Sequence, residues 1–330
     1  MKVERVAQVI NQWKVVLCLV TEIHVPRWVI NLLEREHVAL VAVAATAVQV
    51  GDELPGFVHG DGKDDLFLAT GVTWWYMSGA KRQWVYLNSY PERLNQVGLG
   101  DFNGDHRCDV FTVHGDDWVI SSGGIGPWVS LGKFGIPFDQ LRFGDFNGDG
   151  IKDMFRRAPD GQWFIISPGI YGPTPVQSSD SPLSDLRFGD FNNNGITDVI
   201  AVKDGHWSVS LDARTTWQPL NPNLSDSLAS VLITDLDGNG EDEILRWIPT
   251  SEVAGRWEVS WDGRSTWKVL TSMTWSPDEK SENPAYGLRA YVGRFGDTTG
   301  KDLLSLDWTR FGKIFNKTTR TFTPHSIYAY

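Results

Sequence analysis

One twelve-residue phrase recurs along the chain at a nearly fixed interval, and it constrains the fold more than any other feature. "GDFNGDHRCDVF" (100 to 111), "GDFNGDGIKDMF" (144 to 155), "GDFNNNGITDVI" (189 to 200) and "TDLDGNGEDEIL" (234 to 245) are copies of one another. Their last acidic residues, Asp109, Asp153, Asp198 and Glu243, are spaced by 44, 45 and 45 positions. Weaker copies flank them: "GFVHGDGKDDLF" (56 to 67), whose loop ends at Asp65, and "GRFGDTTGKDLL" (293 to 304), whose loop ends at Asp302. Asp302 follows Glu243 by 59 positions, so this unit carries an insertion, read as an extended surface loop within residues 271 to 287. A fixed period of this length is the mark of propellers and other stacked-repeat folds.

Inside each unit a second pattern recurs: "WVISSGGIGPWVSL" (118 to 131), "WSVSLDARTTWQPL" (207 to 220) and "WEVSWDGRSTWKVL" (257 to 270). Each reads as apolar alternation, a turn, then more alternation, the signature of a β-hairpin. With one strand before the acidic phrase and one after it, a unit is four short strands. Four strands cannot bury both faces of their own sheet, so the units must stack face to face, which also protects the sheet edges. The expectation is an all-β chain forming a β-propeller of four-stranded blades. Seven blades are predicted, six clear repeats plus a degenerate N-terminal one. Residues 51–330 form the propeller and residues 1–50 the partial blade or an N-terminal extension. Trp13 and Trp28 echo the hairpin tryptophans, although "VINLLEREHVALV" also has near-helical spacing.

The acidic phrase places oxygen-bearing side chains at positions 1, 3, 5 and 9 of a loop. These are Asp101, Asn103, Asp105 and Asp109; Asp145, Asn147, Asp149 and Asp153; Asp190, Asn192, Asn194 and Asp198; and Asp235, Asp237, Asn239 and Glu243. Calcium takes six to eight oxygens, and alternating side chains plus one backbone carbonyl can encircle it. Arg107, Ile151, Ile196 and Glu241, at position 7, are the carbonyl candidates. Glycine at positions 4 and 6 suits a tight course with positive φ. An EF-hand is excluded, because it needs a glutamate at position 12 and a following helix, and that position here is Thr112, Arg156, Ala201 or Arg246 inside a strand pattern. Asp, Asn and Gly also form turns without metal, but turn chemistry does not require acids at both 5 and 9. Phe57 and Arg294 occupy position 1 in the outer copies, where no metal is expected.

The tandem "DFNGDG..D" units resemble FG-GAP or VCBS repeats, as in integrin-α-type and fungal-lectin-type propellers, over about residues 51 to 310. That resemblance implies a propeller stabilised by Ca²⁺, extracellular or secreted, that binds a carbohydrate or protein ligand without catalysing a reaction.

Catalytic signals are weak. The seven histidines show no metal spacing, and neither HExxH nor G-x-S-x-G occurs. Asp116, Asp117, Asp160, Asp180, Asp212 and Asp262 fall in predicted turns, where solvated acids are the norm, so a propeller-based carbohydrate-active enzyme is the alternative rather than the first reading. A scaffold module of a larger secreted protein is the third. Trp118, Trp163, Trp207 and Trp257 recur at one position and Trp128, Trp217 and Trp267 at another, which favours packing between blades over ligand contact. Trp261 and Trp275 break the pattern and are the candidates for exposure.

A net charge of -11 without a Lys/Arg cluster argues against a nucleic-acid partner. Cys18 and Cys108, far apart, define neither a disulfide framework nor a zinc site. The apolar run 38 to 50 is too short for a membrane span, which needs about 20 residues, and lacks the basic flank of a signal peptide; a β-strand is expected there. Sequons at Asn223 and Asn316 are the kind of triplet that chance supplies. A monomer is expected.

Overall fold

The computed structural model describes residues 64–77, 85–169, 172–251 and 254–274, and four further strands between 289 and 325. Six antiparallel sheets follow one another along the chain. The first has three strands, β1 (Leu66–Ala69), β2 (Trp74–Met77) and β3 (Val85–Asn88), which match the second to fourth strands of the repeat. The other five have four strands each. They are β4 (Gly98–Gly100), β5 (Asp109–His114), β6 (Asp117–Ser121) and β7 (Trp128–Lys133); then β8 (Leu141–Gly144), β9 (Asp153–Arg157), β10 (Gln162–Ile166) and β11 (Thr174–Ser178). Next come β12 (Arg187–Gly189), β13 (Asp198–Lys203), β14 (His206–Ser210) and β15 (Gln218–Asn221), and β16 (Val231–Thr234), β17 (Glu243–Ser251), β18 (Ala254–Ser260) and β19 (Lys268–Thr274). The last sheet is β20 (Arg289–Gly293), β21 (Asp302–Leu306), β22 (Gly312–Asn316) and β23 (Thr321–His325).

In every four-stranded sheet the strands pair in chain order, so each sheet is a meander. The chain is an all-β propeller. The described residues form six sheets rather than seven, and the segment assigned to a seventh blade, 1–50, lies outside them, as do Phe57, Arg294 and Trp275. The predicted surface loop at 271 to 287 needs correction at its start. Residues up to Thr274 extend β19 along a lengthened β18, so part of the insertion is absorbed as longer strands at the blade's edge. No helix of the described residues is long and apolar enough to cross a membrane.

The apolar core lies between blades. One cluster joins Phe67 and Trp74 of the first sheet to Val97, Leu99 and Val110 of the second; another joins Phe146, Phe155 and Trp163 of the third to Phe188 and Val199 of the fourth. The first strand of each blade is innermost. A Cβ on Gly98 of β4 would stand 2.7 Å from the Phe143 ring of β8, and one on Gly189 of β12 would stand 2.6 Å from Ile233 of β16. The fourth strands β7 and β11 are largely exposed and form the outer edge.

The recurrent tryptophans occupy the contacts expected of packing residues. Trp74, Trp118, Trp163 and Trp207 are fully buried and Trp257 nearly so. Each sits at a register shift between the third and fourth strands, a bulge that re-aims the side chain. The tryptophan that opens or immediately precedes the fourth strand of one blade meets the third-strand tryptophan of the blade before it, edge to face: Trp128 on Trp74 at 5.5 Å, Trp217 on Trp163 at 5.6 Å and Trp267 on Trp207 at 5.3 Å. Such pairs add about 0.5–1.5 kcal/mol beyond burial. Where the residue ahead of β11 is Pro173 instead, Trp118 stacks on Phe134 of its own blade at 4.2 Å. Trp261 is half-buried against the cluster around Leu236 and Leu245, which corrects its expected exposure.

Candidate functional site

Each acidic loop leaves the inner strand and turns back into the second. The position-1 carboxylate organises it: Asp145 Oδ1 accepts from the N–H groups of Asn147 (3.2 Å) and Gly148 (2.6 Å), and Oδ2 from Gly150 (2.7 Å). Asp101, Asp190 and Asp235 are used in the same way. Positions 3 and 5 each accept an N–H two residues on, as Asn147 does from Asp149 and Asp149 from Ile151. Positive φ is kept at positions 4 and 6 even where glycine is absent, with His106 at 60° and Asn193 at 56°.

Position 9 is fully buried in all four loops. Asp109 accepts from the N–H of Phe102 (3.1 Å) on one oxygen and of Gly123 (3.0 Å) on the other; Asp198 accepts from Phe191 (2.9 Å) and Asp212 (2.7 Å). These carboxylates latch the loop to the turn between the third and fourth strands. Asp153 and Glu243 differ. Asp153 Oδ2 accepts from Phe146 N–H at 2.9 Å and Glu243 Oε2 from Leu236 N–H at 2.5 Å, while the buried Oδ1 of the first and Oε1 of the second have no hydrogen-bond partner. Burial pushes Asp109 and Asp153 up to about 6, Asp198 to about 7 and Glu243 to about 9, with neighbouring loop acids adding to the rise.

The fourth loop brings ligand atoms together most closely. One carboxylate oxygen from each of Asp235, Asp237 and Glu243 falls within 4.8 Å of the others, the only such group of three or more His, Cys or acidic residues among the described residues. Three converging carboxylates, one with an unpartnered buried oxygen, fit a hard divalent cation held by oxygen. In the first and third loops the position-9 oxygens are already engaged by backbone N–H groups, and the third loop offers only two carboxylates. Of the other acids weighed for chemistry, Asp212 and Asp262 close loops by accepting from Asn194 and Asn239, Asp117 accepts from Ser130, and Asp160 caps a turn at Gln162.

A second constellation, on the outer side of the blade boundaries, is not visible as a set in the sequence. At three boundaries a half-buried tryptophan at the start of the fourth strand stands beside a basic residue (His, Lys or Arg) of the second strand and an acid from the segment leading out of the preceding blade. Trp128 contacts the His114 ring edge-on at 5.2 Å, and His114 meets Glu92 at 2.9 Å. Lys203 lies 6.0 Å from the Trp217 ring and pairs with Asp180. Arg246 lies 4.0 Å above the Trp267 ring and meets Asp226 at 3.0 Å, while Trp267 Nε1 donates to the same carboxylate at 2.9 Å. That indole N–H, with help from Arg246, holds Asp226 below the usual carboxylate range. The hydrogen bond and charge of Lys203 do the same for Asp180. The signal that could have found them is spacing: Glu92, Asp180 and Asp226 precede position 9 of the next loop by 17, 18 and 17 residues.

No family model matches the chain, and no curated protein does. Solved structures do. A lectin of Agrocybe aegerita, described for specific recognition of non-reducing terminal N-acetylglucosamine, is 15% identical over 80% of this chain and 76% of its own, with a TM-score of 0.53. The SapL1 lectin in complex with alpha methyl fucoside is 13% identical over 80% of this chain and 92% of its own, TM-score 0.48. TolB from Acinetobacter baumannii is 14% identical over 78% of this chain and 61% of its own, TM-score 0.46. The first likeness places the chain among β-propellers.

Proposed function

We propose that this chain is a non-enzymatic carbohydrate-binding propeller of the FG-GAP/VCBS type, acting outside the cytoplasm, with saccharide held at the outer blade boundaries. The observation that carries this reading is the threefold recurrence of a half-buried tryptophan with a paired acid and basic side chain, at Trp128, Trp217 and Trp267. A sugar presents an apolar ring face and a rim of hydroxyls. An indole answers the first and a donor–acceptor pair answers the second. The Agrocybe aegerita lectin of similar fold recognises a terminal sugar, which supports the reading.

Calcium belongs to the same proposal as a structural ion. Asp235, Asp237 and Glu243, with Asn239 and the Glu241 carbonyl, are its best-prepared ligands. Bound there, it would supply the positive charge that buried carboxylates lack. The test is a glycan-array screen of the whole chain with calcium and with EDTA. Selective saccharide binding is expected, weakened by chelation through loss of stability; a blank array in both conditions counts against the proposal.

A further inference from the structure

The innermost strands carry charge that neither the acidic loops nor the tryptophan boundaries use. Arg142 of β8 and Arg187 of β12 occupy the same position in neighbouring blades, three residues before the first acid of their loops, where β4 has Gly98 and β16 has Leu232. Both lie near the entry end of strands that run toward the acidic loops, so they sit away from the candidate metal ligands.

The two side chains are posed alike. Arg142 Nη1 donates to the carbonyls of Leu141 (2.6 Å) and Asp139 (3.2 Å), and Arg187 Nη1 to those of Leu186 and Ser184, both at 2.7 Å. Strand alternation gives the direction. Phe143 packs on Phe102 and Phe111 of the preceding blade, so Arg142 projects from the opposite face, toward the following blade and Arg187. Arg187 continues the progression, its Nη2 donating to Ala229 O at 3.0 Å just ahead of β16.

Neither guanidinium forms an ion pair among the described residues, although the chain carries a net charge of -11. The Nη2 and Nε groups of Arg142 donate no hydrogen bond to any described residue. Half-burying two like charges side by side is unfavourable; burial followed by repulsion from Arg187 lowers the pKa of Arg142, and the exposed carboxylates of Asp139 and Asp185, which form no ion pair with the two arginines, oppose the lowering only in part. A planar fork with unused donors is the group best matched to a carboxylate, sulfate or phosphate.

We infer that Arg142 and Arg187 form an oxyanion-binding site at the inner edge of the third and fourth sheets. The ligand is a free inorganic oxyanion or the carboxylate of an acidic saccharide. It bridges the two guanidiniums and supplies the directly paired counter-charge that Asp139 and Asp185 do not. The site is independent of the tryptophan boundaries, so its test does not depend on the carbohydrate reading.

The experiment follows the arginine Nε–H resonances of the ¹⁵N-labelled chain during titration with sodium phosphate, sodium sulfate and sodium glucuronate at constant ionic strength, with Arg142→Gln and Arg187→Gln assigning the two signals. Saturable shifts of both signals are expected. Tighter saturation by phosphate or sulfate identifies a free inorganic ion as the ligand, and tighter saturation by glucuronate a saccharide carboxylate. In Arg142→Gln the response at Arg187 should weaken at least tenfold, while Trp217→Ala should leave it unchanged. Linear shifts without saturation in the unmodified chain would overturn the inference. So would equal saturation in Arg142→Gln, and the titration of the unmodified chain decides the matter even if a variant folds poorly.

Discussion

The backbone N–H of Thr197 donates to the carbonyl oxygen of Asp145 at 2.6 Å, joining position 8 of one acidic loop to position 1 of the loop before it. Lys152 meets Asp101 and Asp242 meets Asp190 in the same way, each at 2.7 Å. Arg214 and Arg264 add a second tie, donating to the carbonyls of Phe146 (2.8 Å) and Phe191 (2.5 Å) in the preceding loop. The loop side chains satisfy their own amides, which leaves these carbonyls free to accept from the neighbouring blade. The acidic loops are therefore joints between blades as well as candidate metal sites.

The first expectation concerns Gly144. A Cβ there would stand 2.7 Å from Thr197 Oγ1 and 2.9 Å from the Phe146 ring, both in buried side chains. Gly144→Ala should cost about 1–3 kcal/mol by overpacking the joint. Gly150→Ala meets nothing within 4 Å but is held at φ +82°, so its cost of about 1 kcal/mol is purely conformational. Urea melts of the two variants should rank them in that order.

Glu243 should separate the cost of burying a carboxyl from the benefit of a metal. Glu243→Gln keeps an acceptor for Leu236 N–H and removes a group that must take up a proton to be buried, its pKa pushed to about 9 by burial with Asp237 and Asp235 adding to the rise. In EDTA the variant should melt at or above the temperature of the unmodified chain. With calcium added, it should show a smaller rise. Asp149→Ala should reduce calcium stoichiometry by no more than one site.

Stability should depend on pH with a definite sign. Asp109 and Asp153, pushed to about 6, and Asp198, pushed to about 7, keep protons in the folded chain that the unfolded chain releases near pH 4. Between those limits the folded state holds more protons, so stability falls as pH rises, by roughly 1.4 kcal/mol per group for each pH unit crossed inside that window. In EDTA the melting temperature should drop from pH 5 to pH 8, and calcium should flatten that slope. A melting temperature that climbs with pH under chelation would contradict the burial argument.

Trp217 and Trp163 should differ in kind. Trp163 is fully buried, so Trp163→Ala should cost about 3–5 kcal/mol. Trp217 is half-buried, and Trp217→Ala should cost less and leave a folded chain whose near-ultraviolet circular dichroism has lost one edge-to-face pair.

The fold is legible because its repeat is written in residue types that cannot be exchanged freely. A third-strand tryptophan in each of the first five sheets and an acid at position 9 mark out the strands of a unit and its contact with the next. The glycines ahead of the acidic phrase are not explained that way. Gly144 and Gly189 accommodate the buried position-8 residue of the next blade, Thr197 and Asp242, a contact between blades that no local pattern encodes. The repeat presents the loops as four equivalent sites, yet they differ by whether a turn amide reaches position 9: Gly123 and Asp212 do so for Asp109 and Asp198, whereas Asp153 Oδ1 and Glu243 Oε1 are left without a partner. Pairings such as Arg246 with Asp226 are hidden because their partners belong to different blades.

The most direct test counts saccharides per chain. Native mass spectrometry with the best oligosaccharide from an array should give up to three bound copies on the unmodified chain, one for each of Trp128, Trp217 and Trp267, and one fewer on Trp217→Ala. An unchanged number of bound saccharides on a folded Trp217→Ala, or none bound to the unmodified chain, would contradict carbohydrate binding at the blade boundaries.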